Sequence, residues 1–342
     1  MKIDTIYVEI TNRCNLNCAT CYNRSGMNRE TVEIAPEMLE MLIETCRPYG
    51  LRRLLFSGGE PTLHSRFGEV LALADRYPDM TFGIVTNGTT KNALLSEYLA
   101  SRPNMTLQIS LDGSCEEVNA LTRGPGSFAK TIDFARSVKM PHHQPLLKMV
   151  VSQQNLHDVE SYYELALSLG FLPEYAFIYK SGNGADGWND KTVTPRQIMD
   201  VTHTIEKLNQ KHGTEAFLPQ CTSKCPYVTG LEKVSLGIKP DGSIQPCQSL
   251  YEGAYTVGNL YTLDMERLEA SLESFGELAR RRFNTDYGCE RCLLRGGCGK
   301  GCIAEAVHLH GDPLANDGFC DWRKMQFVER ELGIRARLQN RK

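Results

Sequence analysis

The stretch TNRCNLNCATCYN, residues 11–23, places Cys14, Cys18 and Cys21 in one short polar segment directly behind the apolar run TIYVEI. Thiolates are soft donors suited to zinc or to iron–sulfur clusters. A structural zinc site closes with four protein ligands. A four-iron cluster ordinarily takes four thiolates, so a trio leaves one iron able to hold something other than protein. A second group lies far downstream. The run CERCLLRGGCGKGC has CX2CX5CX3C spacing at Cys289, Cys292, Cys298 and Cys302, with Cys221, Cys225 and the Cys247 of GSIQPC before it and Cys320 after it. Paired CX2C thiols are also the commonest zinc signature, so zinc stays open for this group on spacing alone. Thirteen cysteines clustered in this way, without a secretion signal, point to metal or redox chemistry in a reducing compartment rather than to disulfides. Only Cys46 and Cys115 stand apart. Cys46 shares a helical face with Met38, Met41, Leu42 and Thr45 and reads as core packing.

The elements that must position these thiols follow a rhythm. Apolar runs at 5–10, 52–57, 81–86, 105–110, 146–151 and 175–180 read as strands. Between and after them, 36–48, 65–76, 91–101, 127–139, 157–169 and 195–210 read as amphipathic helices. Strand–helix alternation predicts a parallel sheet, either open and doubly wound or a partial barrel. The strands end in TNRCNLNC, SGGEP, TNGTT, LDGSC, SQQN and SGNGAD, all polar or glycine-bearing, and ligands collect at that edge of parallel sheets. SGNGADGWND, 181–190, reads as a lid or a simple connection.

With these residues in view, the CX3CX2C trio resembles the signature of the radical S-adenosylmethionine (SAM) superfamily. The resemblance implies a [4Fe-4S] cluster on Cys14, Cys18 and Cys21 whose open iron chelates S-adenosyl-L-methionine, and a 5′-deoxyadenosyl radical as the product of reductive cleavage. SGGEP matches the family's GGEP motif, so Gly58, Gly59 and Glu60 are expected to hold the cofactor's methionine ammonium. Glycine lets the backbone approach a ligand closely. Thr86 and Asn87, Ser110 and Asp112, Arg123 and Gln153 resemble further cofactor-side positions, although Asn, Asp, Ser and Gly also favour ordinary strand-ending turns. One departure is visible: the family often has an aromatic residue before the third cysteine, and here Thr20 stands there with Tyr22 after it. Cys115 reads either as a buried structural thiol or, by likeness to radical peptide epimerases, as a catalytic hydrogen-atom donor.

The C-terminal third resembles the SPASM extension of peptide- and protein-modifying radical enzymes. Carried over, Cys221, Cys225, Cys247 and Cys302 hold one auxiliary cluster and Cys289, Cys292, Cys298 and Cys320 the other, which with the N-terminal trio uses eleven of the thirteen cysteines. If Cys221 and Cys225 do not both ligate, that first auxiliary cluster gains an open iron. Three [4Fe-4S] clusters amount to about twelve irons per chain. VSLGIKPDGSIQP, 234–246, reads as a hairpin turning at Pro240–Gly242 that delivers Cys247. The aspartate that follows this cysteine in anaerobic sulfatase-maturating enzymes is Gln248 here, which argues against formylglycine formation.

A formal charge of −3 gives no electrostatic footprint for nucleic acid or an anionic membrane, and no apolar stretch approaches a membrane span, so a cytoplasmic protein is expected. The expected architecture is a partial (β/α)6 TIM-type barrel over 1–215, a SPASM domain with two auxiliary clusters over 216–322, and a C-terminal helix over 323–342. The resemblance implies an oxidoreductase that abstracts hydrogen from a ribosomally made peptide or protein and completes a cross-link, epimerisation or dehydrogenation, supplied with electrons by a flavodoxin or ferredoxin. About four residues precede the first strand, so leader binding is expected to use the barrel or a separate recognition protein. The competing readings are a small-molecule radical dehydrogenase or cofactor-biosynthesis enzyme, and a zinc-binding regulatory module.

Overall fold

The computed structural model describes residues 1–27, 30–216, 225–285 and 289–339. Six parallel strands and their crossover helices run in strict alternation. β1 (Ile3–Thr11) leads to α1 (Pro36–Cys46) and β2 (Arg53–Gly58), then α2 (Phe67–Leu71), α3 (Leu73–Arg76) and β3 (Thr81–Thr86). α4 (Ala93–Ser101) precedes β4 (Met105–Ser110); α5 (Glu116–Arg123) and α6 (Ser127–Ser137) precede β5 (Leu146–Val151); α7 (Val159–Ser168) precedes β6 (Leu172–Phe177). α8 (Trp188–Lys191) and α9 (Pro195–His212) complete the series.

The strands lie side by side in the order β6-β5-β4-β3-β2-β1. Through these six strands the order never reverses, unlike the two halves of a doubly wound sheet. The sheet is the partial (β/α)6 barrel expected from the sequence. Ile3, Ile6, Val8 and Ile10 of β1 are fully buried, the near-continuous apolar pattern of a parallel strand. Beyond it, β7 (Val234–Ile238) pairs in parallel with the free edge of β1, and β8 (Ser243–Gln245) and β9 (Gly258–Asn259) follow antiparallel, giving one nine-stranded sheet. The hairpin between β7 and β8 turns where expected, with the Gly242 amide donating to the Lys239 carbonyl at 2.9 Å. α10 (Met265–Asn284), α11 (Arg295–Cys298), α12 (Ile303–His310) and α13 (Cys320–Gln339) cover the rest. Among the described residues no helix is long and apolar enough to cross a membrane.

Two elements differ from expectation. The sixth strand is Leu172–Phe177, three residues ahead of the 175–180 expected. β6 has β5 as its one neighbour, and an edge strand tolerates the missing N–H of Pro173. The run EEVNALTR forms α5, which is not among the helices expected, with Asn119 and Thr122 as its buried face.

Phe56 and Phe82, each 1% exposed, stack at 6.0 Å between centroids across β2 and β3. Phe56→Ala is expected to lower stability by about 3–5 kcal/mol, measured as a fall in the anaerobic urea-unfolding midpoint.

Candidate functional site

The β1–β2 pairing shifts register between Glu9 and Thr11, a bulge that re-aims the chain into the three-cysteine loop. Backbone docking holds that loop. The Ala19 amide donates to the Thr122 carbonyl at 2.7 Å, the Lys191 ammonium to the Ala19 carbonyl at 2.9 Å, and the Asn183 side-chain amide to the Cys18 carbonyl at 2.9 Å. The Asn183 backbone amide donates to the Cys21 carbonyl at 2.7 Å. A Cβ on Gly182 would lie 2.4 Å from the Cys21 and Tyr22 backbone, so glycine is required for this approach. The SGNGAD loop is therefore a clamp on the cysteine loop. Arg24 closes it with a bidentate ion pair to Asp186 at 2.9 and 2.7 Å.

Cys14 is buried, and Cys18 and Cys21 are half-buried. Burial pushes the Cys14 thiol up to about 11 and the Cys18 thiol up to about 12, with the Arg123 guanidinium opposing the shift at Cys18. Thiols held this high need a nearby cation to ionise, which iron supplies on binding. The Asn87 amide reaches the Cys14 sulfur at 3.9 Å and the Asn15 carbonyl oxygen at 2.9 Å. A cavity of about 420 Å³ opens on Cys14 and is lined also by Asn15, Asn17 and Met27. Soft donors on one clamped loop beside open space fit a cluster held by three protein ligands. Among the described residues, no three Cys, His, Asp or Glu side chains converge as ligands of a single ion do.

The Gly58–Glu60 segment docks on the strand that launches this loop. The Gly59 amide donates to the Thr11 carbonyl and the Glu60 amide to the Arg13 carbonyl, both at 2.7 Å. A Cβ on Gly58 would lie 2.2 Å from the Thr11 oxygen, and one on Gly59 2.0 Å from the Arg13 oxygen. The Glu60 carboxyl is 1% exposed, and burial raises it above the usual carboxylate range against its hydrogen bonds. Its Oε1 accepts from the Thr62 and Thr86 hydroxyls at 2.7 and 2.6 Å, and Oε2 from the Asn87 amide at 2.7 Å. Glu60 thus ties the ends of β2 and β3 together while Oε2 keeps acceptor capacity.

The remaining expected positions lie at the same sheet edge with partners of their own. Asp112 is fully buried, accepts from the Val150 amide at 2.8 Å and pairs with Arg123 at 2.9 Å. Ser110 closes β4 and is half-buried. Gln153 forms a reciprocal amide pair with Gln197 of α9, at 2.7 and 3.1 Å. Cys115 stands just before α5, makes no side-chain cap to it, and hydrogen-bonds the exposed Glu117 carboxylate.

In the C-terminal third, Cys225, Cys247 and Cys302 stand close enough for their charges to act on one another, and burial pushes Cys225 up to about 12 and Cys247 up to about 11. Cys221 lies outside the described residues. Cys289 and Cys292 share a turn, the Cys292 amide donating to the Cys289 carbonyl at 3.1 Å, while Cys298 ends α11 and Cys320 begins α13. Two arginines that the sequence did not single out fix this region. Arg282, 1% exposed, donates to the carbonyls of Gly299, Lys300, Gly301 and Ala315 at 3.0, 2.6, 2.9 and 3.1 Å. Arg323 pairs with the buried Asp317, which also accepts from the Cys302 amide at 3.0 Å. In sequence, both arginines sit in charged helical runs that look solvated.

Residues 8–166 match the family described as the radical SAM superfamily. They are a radical SAM domain. The chain is 26% identical over 315 residues to mycofactocin maturase MftC of Mycolicibacterium smegmatis, covering 90% of this chain and 79% of that protein. It is 28% identical over 334 residues to the PqqA peptide cyclase of Rhodopseudomonas palustris, covering 92% and 86%. Among solved structures, native anSMEcpe with bound AdoMet and Cp18Cys peptide has a TM-score of 0.77 at 18% identity, covering 99% of this chain and all of that one. Streptococcus suis SuiB bound to S-adenosylmethionine has a TM-score of 0.74 at 16% identity, covering 92% and 76%. The radical SAM domain therefore carries a [4Fe-4S] cluster and uses S-adenosyl-L-methionine, and the three-thiol loop and the Gly58–Glu60 docking lie within it.

Two substitutions separate the two regions. Gly59→Ala is expected to displace the cysteine loop and lower iron by about four per chain in anaerobically reconstituted protein, with the far-UV circular dichroism retained. Arg282→Met strips the donors from four buried carbonyls, each costing about 1–3 kcal/mol, and is expected to lower the thermal midpoint while sparing the N-terminal cluster signal in electron paramagnetic resonance.

Proposed function

We propose that this protein is a radical SAM peptide maturase acting in a reducing cytoplasm on a ribosomally made peptide or protein. The observation that carries the reading is the three-thiol loop, clamped by Gly182, Asn183 and Lys191 and docked on Gly58–Glu60 inside a radical SAM domain. Relatives matching along nine-tenths of the chain are named mycofactocin maturase and PqqA peptide cyclase.

Bound cluster and S-adenosylmethionine together supply, on one-electron reduction, a 5′-deoxyadenosyl radical able to abstract hydrogen from carbon. The chain's own part is positional. Cys14, Cys18 and Cys21 hold the cluster, Asn87 steadies Cys14, and the Gly58–Gly59 backbone with the open side of Glu60 Oε2 receives the methionine ammonium. Arg123, anchored by Asp112, places a positive charge beside Cys18. Cys225, Cys247 and Cys302, with Cys221, make one auxiliary four-thiolate set, and Cys289, Cys292, Cys298 and Cys320 the other. A ferredoxin- or flavodoxin-type donor delivers the electron, and a separate recognition protein presents the leader where the barrel does not.

Anaerobically reconstituted, dithionite-reduced protein is expected to form 5′-deoxyadenosine and to hold about twelve irons. Cys14→Ala is expected to abolish that product while keeping the C-terminal iron. Co-expression with candidate precursor peptides is expected to give a mass change read by mass spectrometry; absence of both 5′-deoxyadenosine and any mass change refutes the reading.

A further inference from the structure

Glu9 is the one acidic side chain of β1 that the functions above leave unused among buried groups, and it is 7% exposed. Its Oε1 accepts from the Tyr22 hydroxyl at 3.0 Å and from the Tyr251 hydroxyl, whereas Oε2 has the Asn23 amide at a long 3.3 Å. A carboxylate offers about four acceptor sites, so Oε2 keeps capacity for another donor. Burying such a group costs several kcal/mol unless it is well compensated. The rings of Tyr22 and Tyr251 meet at 4.8 Å, and the Lys239 ammonium lies 5.5 Å from the Tyr251 ring centroid.

These groups come from β1, the cysteine loop, the β7–β8 turn and the segment after Cys247, and they border one cavity of about 450 Å³. That volume is in the range of small-ligand pockets, about 300–1,000 Å³. Arg24 and Ser25 line both this cavity and the one opening on Cys14, so the two flank the same stretch of cysteine loop. We propose that this cavity seats an uncharged, hydrogen-bond-donating side chain of the peptide substrate, with Glu9 Oε2 as its acceptor, an inference that rests on the maturase reading. Charge decides the class. Glu9 and Asp241 both line the cavity and oppose a substrate carboxylate, while Lys239, whose charge acts on Glu9, offsets the acids and opposes an ammonium or guanidinium; Arg24 is already paired with Asp186. Tyr22, Tyr251, Pro240 and Val32 supply flat apolar walls, which suit an aromatic body carrying a donor at its tip.

The test is equilibrium dialysis of the anaerobically reconstituted holoenzyme against N-acetyl-tyrosinamide, N-acetyl-phenylalaninamide and N-acetyl-lysinamide. A hydrogen bond to the Glu9 carboxyl oxygen makes tyrosinamide bind about tenfold or more tighter than phenylalaninamide. Lysinamide is expected to bind more weakly than tyrosinamide. Glu9→Gln is expected to cut the tyrosine preference to about threefold or less. Iron content checks that this variant is folded; Tyr251→Phe, which removes a pocket wall hydroxyl without changing volume, is the second variant and is expected to reduce the preference as well. Equal binding of tyrosinamide and phenylalaninamide, tighter binding of lysinamide, or a preference unchanged in both variants overturns the proposal. Dialysis needs no turnover. A wild-type chain that makes no 5′-deoxyadenosine therefore overturns the maturase reading, while the binding data still decide the pocket.

Discussion

The closest backbone approach in the site is between the end of β2 and the loop leaving β1, where Gly58 and Gly59 face the Thr11 and Arg13 carbonyls with no room for a Cβ. Everything nearby follows from that contact. Because the Gly59 and Glu60 amides are bonded to those carbonyls, the first residues of the cysteine loop are fixed to the sheet and not to a mobile turn. The same docking brings Glu60 to the end of β3, where Thr86 and Asn87 satisfy it, and Asn87 in turn reaches Cys14. One chain of short contacts thus connects three strand ends to the first thiol. In a low-dielectric setting such a network holds only if each member is satisfied.

Burial and charge are balanced differently in the two cysteine regions. Near the N-terminal trio the cation is Arg123, held by a fully buried Asp112 that also accepts from the β5 backbone, so one ion pair joins the charge environment of Cys18 to the sheet. In the C-terminal region, where little regular structure is available, two buried arginines do the ordering. Arg282 gathers carbonyls between Cys298 and Cys302, and Arg323 with Asp317 orients the Cys302 amide. The planar five-donor guanidinium suits this role where lysine, with three donors at one point, does not. In both regions burial pushes thiols up, so any metal they take would have to supply the charge that lets them ionise.

Short-range features were legible in the sequence. The cysteine spacing, the paired glycines after a strand, the six-fold strand–helix rhythm and the β7–β8 turn each depend on neighbours within a few residues. What could not be read depends on partners far along the chain. Glu9 meets Tyr251 across 242 residues, and an acidic residue in a strand otherwise looks solvent-facing. The 181–190 loop gave no sign of its task because its partners are main-chain carbonyls of residues 18–22, which leave no mark in composition. The start of β6 at Leu172 was not legible in the apolar run 175–180, because the edge position that admits Pro173 is a property of the whole sheet. The burial of Arg282 is decided by carbonyls of residues 299–315 that arrive later in the chain, and that of Arg323 by the buried Asp317 just before its helix.

The pairing of β7 with β1 gives the C-terminal third its geometric meaning. An extension tethered by a linker alone would sample many positions relative to the three-thiol loop. Here its first strand is hydrogen-bonded along β1 from Ile3 to Val8, and the loop departs from the end of that same β1. The hairpin turn and Tyr251 are then carried to the cysteine-loop end of the sheet, and the two tyrosine hydroxyls meet on a single carboxylate oxygen. Two regions that each bring part of a cavity wall are thus registered by a shared strand. The position of anything bound between them is set to within the tolerance of a β-ladder, which is what hydrogen abstraction from one chosen carbon requires.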